Sequence, residues 1–571
     1  MSERRIGVFI CHCGGNISDY VDVAAVRDAV AELPGVAYAE TAMFACSDGT
    51  QQEMVQRIER DGLDGLVVAS CSPKLHLPTF RGVARRAGLN PFQYTQVNIR
   101  EQCSWAHTDD RPGATEKALG LVRGAIARTA ESDALVPRAV DTTAASLVVG
   151  GGVTGLSAAV GLADLGLDVH LIERDSALGG EVARLGRTFP EEHDGAAMVA
   201  ALIDEVARHP RITVHTSTTL AAKSGSFGNY DVTLVSAEGA SVTTRVGSIV
   251  VATGAATYEP AEGEFGYGLA GVVTLEEFTR ELASPGGRLH FRGRPVRTIA
   301  YVYCVGSRQP GGHEYCSKYC CAGAVHASIQ AADLDPAVRQ YHLYRDLRTY
   351  GRLELGYEES RRRGSAYLKF ADDDPPTVEA GADGRLRVRV TDLLTESSEV
   401  AIDADVVVLV TGLTPRDNAE LTSLLHLPVG GDGFYNEIHP KLRPVETVVD
   451  GVLIAGTCQA PKTIAESVAS GLAAVTQSGA MLMRGVAELD PQVAVVDPDA
   501  CTWCGACAAV CPYEAISRQE LSGRAVAVVD PTGCKGCGGC VSYCEPGALD
   551  LLGNTDAQIR ALIEHLVEVD A

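Results

Sequence analysis

Apolar runs of strand length recur along the whole chain, separated by stretches of helical periodicity. In the first quarter, residues 6–10, 38–44, 65–69 and 94–98 read as strands, with helical patterns between them at 51–60 and 79–87. Alternating strand and helix predicts a doubly wound α/β domain over residues 1–135. A second series starts with a buried strand at 145–149, a helix at 156–165 and a strand at 168–172. Further strands fall at 249–254, 297–303, 406–412 and 451–457, the last leading into a helical stretch at 463–483. The longest apolar runs, such as 406–410, fall far short of the roughly 20 residues of a membrane span.

At 571 residues the chain exceeds what one hydrophobic core supports, so several domains are expected. Its formal net charge of −24 argues against nucleic acid and anionic membrane as partners, since both favour basic surfaces. The charged start runs straight into a strand with no signal-peptide pattern, which predicts a cytoplasmic protein. In that reducing compartment, 18 cysteines point to metal or redox chemistry rather than disulfides.

The cysteines near the C-terminus carry the most specific pattern. Cys501, Cys504, Cys507 and Cys511 follow C-x2-C-x2-C-x3-C, with Pro512 next. Cys534, Cys537, Cys540 and Cys544 repeat the spacing, with Pro546 one residue late. This is the two-cluster ferredoxin arrangement, in which the fourth cysteine of each run ligates the other cluster. It assigns Cys501, Cys504, Cys507 and Cys544 to one [4Fe–4S] cluster, and Cys511, Cys534, Cys537 and Cys540 to the second. An α+β ferredoxin domain over 490–555 follows. A zinc ribbon would need two pairs of thiolates per ion rather than overlapping triplets.

The strand at 145–149 leads into Gly150-Gly-Gly152-Val-Thr-Gly155 and a helix, with Glu173 at the end of the next strand. The glycines admit a pyrophosphate, the helix N-terminus meets its charge, and the carboxylate takes a ribose hydroxyl. Gly179-Gly180, the strand ending in Ala252-Thr253-Gly254, and Gly456 before the late helix favour FAD over NAD. Thr154 and Lys462 complete the cofactor-binding set. Together these segments resemble a thioredoxin-reductase-like core of two nested dinucleotide-binding domains, one over 140–290 and 413–485, the other over 291–412.

The second nested domain should carry a nicotinamide fingerprint after its strand at 297–303. The turn reads instead Cys304-Val-Gly-Ser-Arg308, followed by Cys316, Cys320 and Cys321. Four soft ligands therefore stand where NAD(P)H would bind, and a further [4Fe–4S] cluster replacing that site is the expectation. The bland alternative is a set of core cysteines.

In the N-terminal domain Cys11, Cys13, Cys46, Cys71 and Cys103 all follow strands. Ligands gather at the carboxyl edge of such sheets, so four of the five are candidate ligands of another [4Fe–4S] cluster. Sequence does not choose among the five.

These residues carry a family resemblance along nearly the whole chain. Cys11-His-Cys-Gly-Gly-Asn-Ile17, Ala69-Ser-Cys-Ser-Pro73, Thr79-Phe-Arg81 and Asn98-Ile-Arg-Glu-Gln-Cys-Ser-Trp105 are distinctive strings. So are Cys304-Val-Gly-Ser-Arg308, Tyr315-Cys316, Cys320-Cys321, Gly456-Thr-Cys-Gln-Ala-Pro-Lys462 and the ferredoxin tail. The chain resembles the HdrA family, the iron–sulfur flavoproteins of heterodisulfide reductase. That resemblance implies an FAD-bearing oxidoreductase component that distributes electrons within a complex. The implied donors are a hydrogenase, a formate dehydrogenase or an NADH-oxidising partner. The implied acceptors are ferredoxin and a disulfide-reducing module of B/C-like subunits, in some relatives by flavin-based bifurcation. A homodimer within a larger assembly is implied as well.

Two departures from the family pattern stand out. The segment 186–245 holds no cysteine, so the ferredoxin insert of the long archaeal form is absent. Five residues beyond Cys321, where the family often has Lys near the flavin, stands His326, which is not reliably cationic at neutral pH. This bears on bifurcation rather than on FAD binding. His326 is the candidate for a catalytic flavin contact; the plain alternative is a helix-face histidine. A self-contained NAD(P)H-dependent FAD reductase with a ferredoxin domain is the competing function, and the missing fingerprint after Tyr303 counts against it.

Overall fold

The computed structural model describes residues 4–189, 193–282, 288–381 and 384–567. It divides into two compact units, Met1–Val140 together with Glu488–Ala571, and Asp141–Ala487.

The first unit begins with a parallel sheet of β1 (Ile6–Cys11), β2 (Val36–Ala42), β3 (Gly65–Ser70) and β4 (Tyr94–Asn98), in the order β2-β1-β3-β4. The central strands β1 and β3 are buried along their whole length, as parallel strands covered on both faces are. The crossovers supply α1 (Val23–Ala31), α2 (Asp48–Asp61), α3 (Pro73–Arg86) and α4 (Arg111–Ala130). Each helix opens on a side-chain cap: Asp22, Ser47, Ser72 and Asp110 each accept a backbone N–H of the first turn. The strand expected at 38–44 starts and stops two residues earlier, because the chain must turn after Ala42 to bring Cys46 to the start of α2.

The second unit holds two parallel five-stranded sheets. In one, β5 (Ala145–Val149) is followed by α5 (Val153–Asp164), β6 (Asp168–Ile172), β7 (Ile212–His215) and β8 (Ser248–Val251). The other comprises β9 (Val272–Thr274), β10 (Thr298–Val305), β11 (Arg339–Tyr344), β12 (Ala366–Lys369) and β13 (Val406–Thr411), with α6 (Cys320–Leu334) crossing between β10 and β11. The chain then returns to the first sheet through β14 (Val452–Ile454) and α7 (Ile464–Leu482). The orders are β14-β8-β5-β6-β7 and β9-β13-β10-β11-β12. β9 lies upstream of the boundary expected at 291; it is too short to read as a strand alone and is held by pairing with β13. A three-stranded antiparallel excursion interrupts each half, at Thr218–Ser226, Asn229–Ser236 and Ser241–Val246, and at Thr377–Ala380, Leu386–Asp392 and Ser398–Ala404.

The C-terminal part of the first unit pairs β15 (Ala494–Val496) with β18 (Leu549–Leu551), and β16 (Ile516–Leu521) with β17 (Arg524–Val529). A final helix, α8 (Asp556–Val567), lies beyond the ferredoxin pattern and packs on α4. The approach is close: a Cβ on Gly124 of α4 would stand 3.0 Å from the carbonyl oxygen of Leu562. Arg128 anchors the same join by donating to the Gly553 carbonyl at 2.9 Å. No helix among the described residues is long and apolar enough to cross a membrane.

Candidate cofactor sites

In the second unit β5 ends at Gly150, whose φ of +109° turns the chain towards α5. A Cβ on Gly150 would stand 2.4 Å from the Ala252 carbonyl oxygen, and one on Gly155 only 1.8 Å from the Gly150 oxygen. Both positions therefore admit glycine alone, and the helix N-terminus is brought close to the strand ends. Glu173, just past β6, accepts from the backbone N–H of Gly151 at 2.7 Å and of Asp175 at 3.0 Å. Its carboxylate is thereby held over the glycine turn.

These elements border a cavity of about 250 Å³. Gly150, Gly152, Thr154, Glu173 and Gly180 line it from the first sheet, and Thr253, Gly254 and Lys462 from the two later crossings. His326 lines it from α6. The remaining expected contacts stand behind the wall. Gly155 packs helix on strand. Gly179, at φ +123°, donates to the Gly151 carbonyl at 2.8 Å. Gly456 lies where a Cβ would meet the Thr154 hydroxyl at 2.5 Å.

α7 points its N-terminus into the cavity through Thr463, Ile464 and Ser467. Thr463 and Glu466 form a reciprocal capping box there. Lys462, one residue before this cap, donates to the Gln459 side chain at 2.6 Å and to the Gly456 carbonyl at 3.2 Å. Burial lowers its pKa, against Cys458, Glu437 and Glu466, which raise it. His326 has its Nε2 2.8 Å from the Gln330 amide and its ring 6.0 Å from that of Phe189.

Sequence reasoning missed an ion pair on this wall, between Arg416 and Glu181. It also missed Tyr319, whose phenol donates to the Thr411 carbonyl at 3.4 Å. The Tyr319 pKa is raised by burial and then by Cys320, Glu276 and Glu181. Neither residue lies in a recognisable motif. The signal available was position: Tyr319 precedes the paired cysteines, and Arg416 follows the β13 strand end.

Tyr319 leads directly to the second cysteine site. Cys304 ends β10 at φ +63°, and Cys320 and Cys321 open α6. Burial raises the Cys304 pKa to about 11; Cys321 and Cys316 push it further up, while Arg308 and Arg345 pull it down. Cys320 is raised by its bond to Cys321, by burial, and by Cys321, Cys304 and Cys316. Cys304, Cys320 and Cys321 thus stand together, with Cys316 acting on Cys304 and Cys320. The backbone N–H of Lys318 donates to the Cys316 sulfur at 3.3 Å.

In the first unit Cys11 interacts with Cys13 and Cys46, and Cys71 with Cys11 and Cys13. The Cys11 sulfur accepts from the backbone N–H of Cys13 and of Ala45, both at 3.3 Å. Its pKa is raised by burial and by the neighbouring Cys13 and Cys46. Cys71 is raised to about 11 by burial, with Glu101, Cys13 and Cys11 adding and Arg100 opposing. Arg100 donates to the Cys13 sulfur at 3.8 Å. Cys103 is fully buried in the core of this domain, and the charge acting on it is Lys117. The turn Arg100–Ser104 after β4 carries it inward.

At the C-terminal end, Cys501, Cys504, Cys507 and Cys544 line a single small cavity of about 20 Å³, walled by Trp503, Tyr543 and Pro546. Backbone N–H groups address the sulfurs in a repeated manner. Ala527 donates to Cys501 at 3.3 Å and Ala494 to Cys534 at 3.5 Å. Ala515 donates to Cys511 at 3.4 Å and Ala548 to Cys544 at 3.2 Å. Cys540 is raised to about 11 by burial, then by Cys534, Cys537 and Cys507. Such N–H···S bonds stabilise thiolate ligands.

The donor sets fit the expected groups. The glycine turn, helix N-termini and Glu173 suit a dinucleotide. The cysteine quartets, with backbone N–H groups directed at sulfur, suit iron–sulfur clusters. Among the described residues no group of three or more Cys, His, Asp or Glu is gathered tightly enough for a single metal ion; a cubane spreads its four thiolates wider than one ion does.

Residues 146–250 match the family described as FAD dependent oxidoreductase, and residues 494–545 match the 4Fe-4S dicluster domain. The A-type iron–sulfur subunit of CoB–CoM heterodisulfide reductase from Methanocaldococcus jannaschii is 35% identical over 651 aligned residues, covering 99% of this chain and 98% of the relative. The aligned length exceeds the 571 residues of this chain, so the relative carries stretches that this chain lacks. The A-type subunit of the H(2)/formate:CoB-CoM heterodisulfide,ferredoxin reductase from Methanococcus maripaludis is 33% identical, covering 99% of each chain. Among solved structures, thioredoxin reductases of T. acidophilum and Lactococcus lactis align with TM-scores of 0.41 and 0.42, at 17% and 16% identity. They cover 59% and 60% of this chain, and 97% and 99% of their own. The chain is an oxidoreductase that takes FAD and [4Fe–4S] clusters.

Proposed function

The chain belongs to the HdrA family, the A-type iron–sulfur subunits of heterodisulfide reductase, and from that premise we propose that it distributes electrons within a heterodisulfide-reductase-like complex. A hydrogenase, formate dehydrogenase or NADH-oxidising partner supplies the electrons. Ferredoxin and a disulfide-reducing module of B/C-like subunits take them up. Hydrogen, formate, ferredoxin and the CoB–CoM heterodisulfide are the words in the name of the Methanococcus maripaludis relative. The same family footing supports a homodimer inside the complex and a cytoplasmic location.

One observation carries the reading. Helix α6 bears Cys320 and Cys321 at its start and His326 on the wall of the large cavity, and Tyr319 both lines that cavity and adjoins Cys320. The nested domain thus offers thiols next to the flavin site where a pyridine-nucleotide reductase would offer a glycine turn. Bound in these sites, FAD exchanges two-electron for one-electron chemistry and the clusters conduct single electrons.

The residues divide the work. Gly150, Gly152 and Thr154 give the pyrophosphate its close approach, and Glu173 holds a ribose. Thr253, Gly254 and Lys462, with Gly456 behind them, face the flavin end, as does His326. Cys304, Cys316, Cys320 and Cys321 hold a cluster beside it. Cys11, Cys13, Cys46 and Cys71 hold one in the N-terminal domain. The two ferredoxin quartets stand as Cys501, Cys504, Cys507 with Cys544, and Cys511 with Cys534, Cys537, Cys540. The domains are 1–135, then 140–290 with 413–485, then 291–412 together with the earlier strand β9, then 490–555.

Mixing the purified chain anaerobically with NADH or NADPH tests this. The flavin absorbance stays unbleached by either nucleotide alone, and bleaches with dithionite. Rapid bleaching by NADPH or NADH without a partner would make the chain a self-contained reductase.

A further inference from the structure

We propose that Arg308 and Arg345 form a buried cationic cage that raises the reduction potential of the cluster held by Cys304, Cys316, Cys320 and Cys321. The proposal rests on the cluster reading above.

The cage is built from the turn after β10 and the end of β11. Arg308 lies four residues beyond Cys304 and interacts with its thiol. Arg345 is 8% exposed, and its Nη1 donates to the Arg308 carbonyl at 2.6 Å, which ties the two arginines together. Both act on Cys304, and Arg308 acts on Cys321 together with Arg348. Each arginine has an acidic partner on its outer side. Asp346 meets Arg308 at 2.9 Å and Asp372 meets Arg345 at 3.5 Å, and both carboxylates are more than half exposed. The carboxylates are thus exposed, while Arg345 is buried and Arg308 largely so.

The hydrogen-bond account of the two arginines is incomplete without an anion. Arg308 Nη1 is buried and makes no hydrogen bond; Arg345 Nε makes none either and has the Asp372 carboxylate at 3.5 Å. Burying a guanidinium N–H unpaired is costly. A four-thiolate cluster at Cys304 is an anion that the unpaired Arg308 N–H would meet.

The sign follows from charge. One-electron reduction takes a four-thiolate cluster from a dianion to a trianion, the electron arriving from the flavin side of α6. Fixed positive charge in a dry setting favours the more negative state. The ferredoxin end differs. The groups acting on Cys507 and Cys540 there are burial, backbone N–H groups and other cysteines.

The test is an anaerobic EPR-monitored redox titration of the full chain. The component lost in Cys304→Ser, together with about four irons, is the signal to follow. Arg308→Gln and Arg345→Gln each shift that component's oxidised-to-reduced ratio at fixed potential about tenfold towards oxidised. That corresponds to a midpoint ~59 mV lower for a one-electron couple. Arg345→Lys, which keeps the charge, titrates close to the parent, and the ferredoxin signals stay in place in every variant. An unchanged midpoint in both glutamine variants with full iron content would overturn the proposal. So would loss of the iron in both, since the arginines would then be structural. Unchanged iron and EPR in Cys304→Ser would instead overturn the cluster reading on which it rests.

Discussion

A Cβ placed on Gly155 would stand 1.8 Å from the carbonyl oxygen of Gly150. The obstructing atom is backbone, so no side chain can swing aside. Strand β5 and helix α5 must part before any other residue fits, and the glycine turn between them lines the cavity proposed to receive the dinucleotide. Gly155→Ala therefore opens the turn and costs on the order of 3 kcal/mol. Thermal unfolding reads the loss of stability, and absorbance near the flavin band reads the loss of FAD. Retention of full FAD with unchanged melting would refute the placement.

His342 is fully buried on β11, stacked 4.6 Å from the ring of Tyr301 and 4.3 Å from that of Tyr367. Its Nδ1 lies 2.8 Å from the Tyr303 hydroxyl, and its Nε2 has no partner. Burial drives its pKa down to about 3. The unfolded chain takes up this proton below about pH 6.5, whereas the folded chain refuses it until about pH 3. The unfolded state thus binds more protons across that window, and stability falls as the pH drops through it. His342→Phe keeps the stack and flattens this acid limb. It also strands the Tyr303 hydroxyl, at about 1–3 kcal/mol near neutral pH. Denaturant unfolding at a series of pH values measures both effects.

Cys71 and Cys103 test the proposed choice of N-terminal ligands. Cys71→Ser lowers the iron content by about four per chain, while Cys103→Ser leaves it unchanged. Iron loss in Cys103→Ser with retention in Cys71→Ser would reverse the assignment. Iron and sulfide analysis of the anaerobically purified variants decides it.

The glycine turn, Glu173 and the ferredoxin cysteines were legible because their spacing is itself the chemistry. β5 and β6 were legible because parallel strands buried on both faces are uninterrupted apolar runs. The proposed choice of Cys11, Cys13, Cys46 and Cys71 over Cys103 was not. All five follow strands, and the inward turn at Arg100–Ser104 is set by tertiary packing. The Arg416–Glu181 pair joins residues far apart in sequence, and no local pattern announces it. β9 was too short to read without its neighbour β13. α8 lies past the last motif, and its seat was hidden in the small residues of α4, where Gly124 lets the two helices approach.

The central claim is that one chain couples FAD to clusters in all three cysteine regions. The most direct measurement is iron, sulfide and flavin per chain in anaerobically purified protein, with EPR after dithionite reduction. One FAD and about sixteen irons are predicted, at about four per cluster, with several interacting signals. One FAD with only about eight irons, the content of two clusters, would confine the clusters to the C-terminal domain and contradict the assignments at Cys304–Cys321 and at the N-terminal sheet.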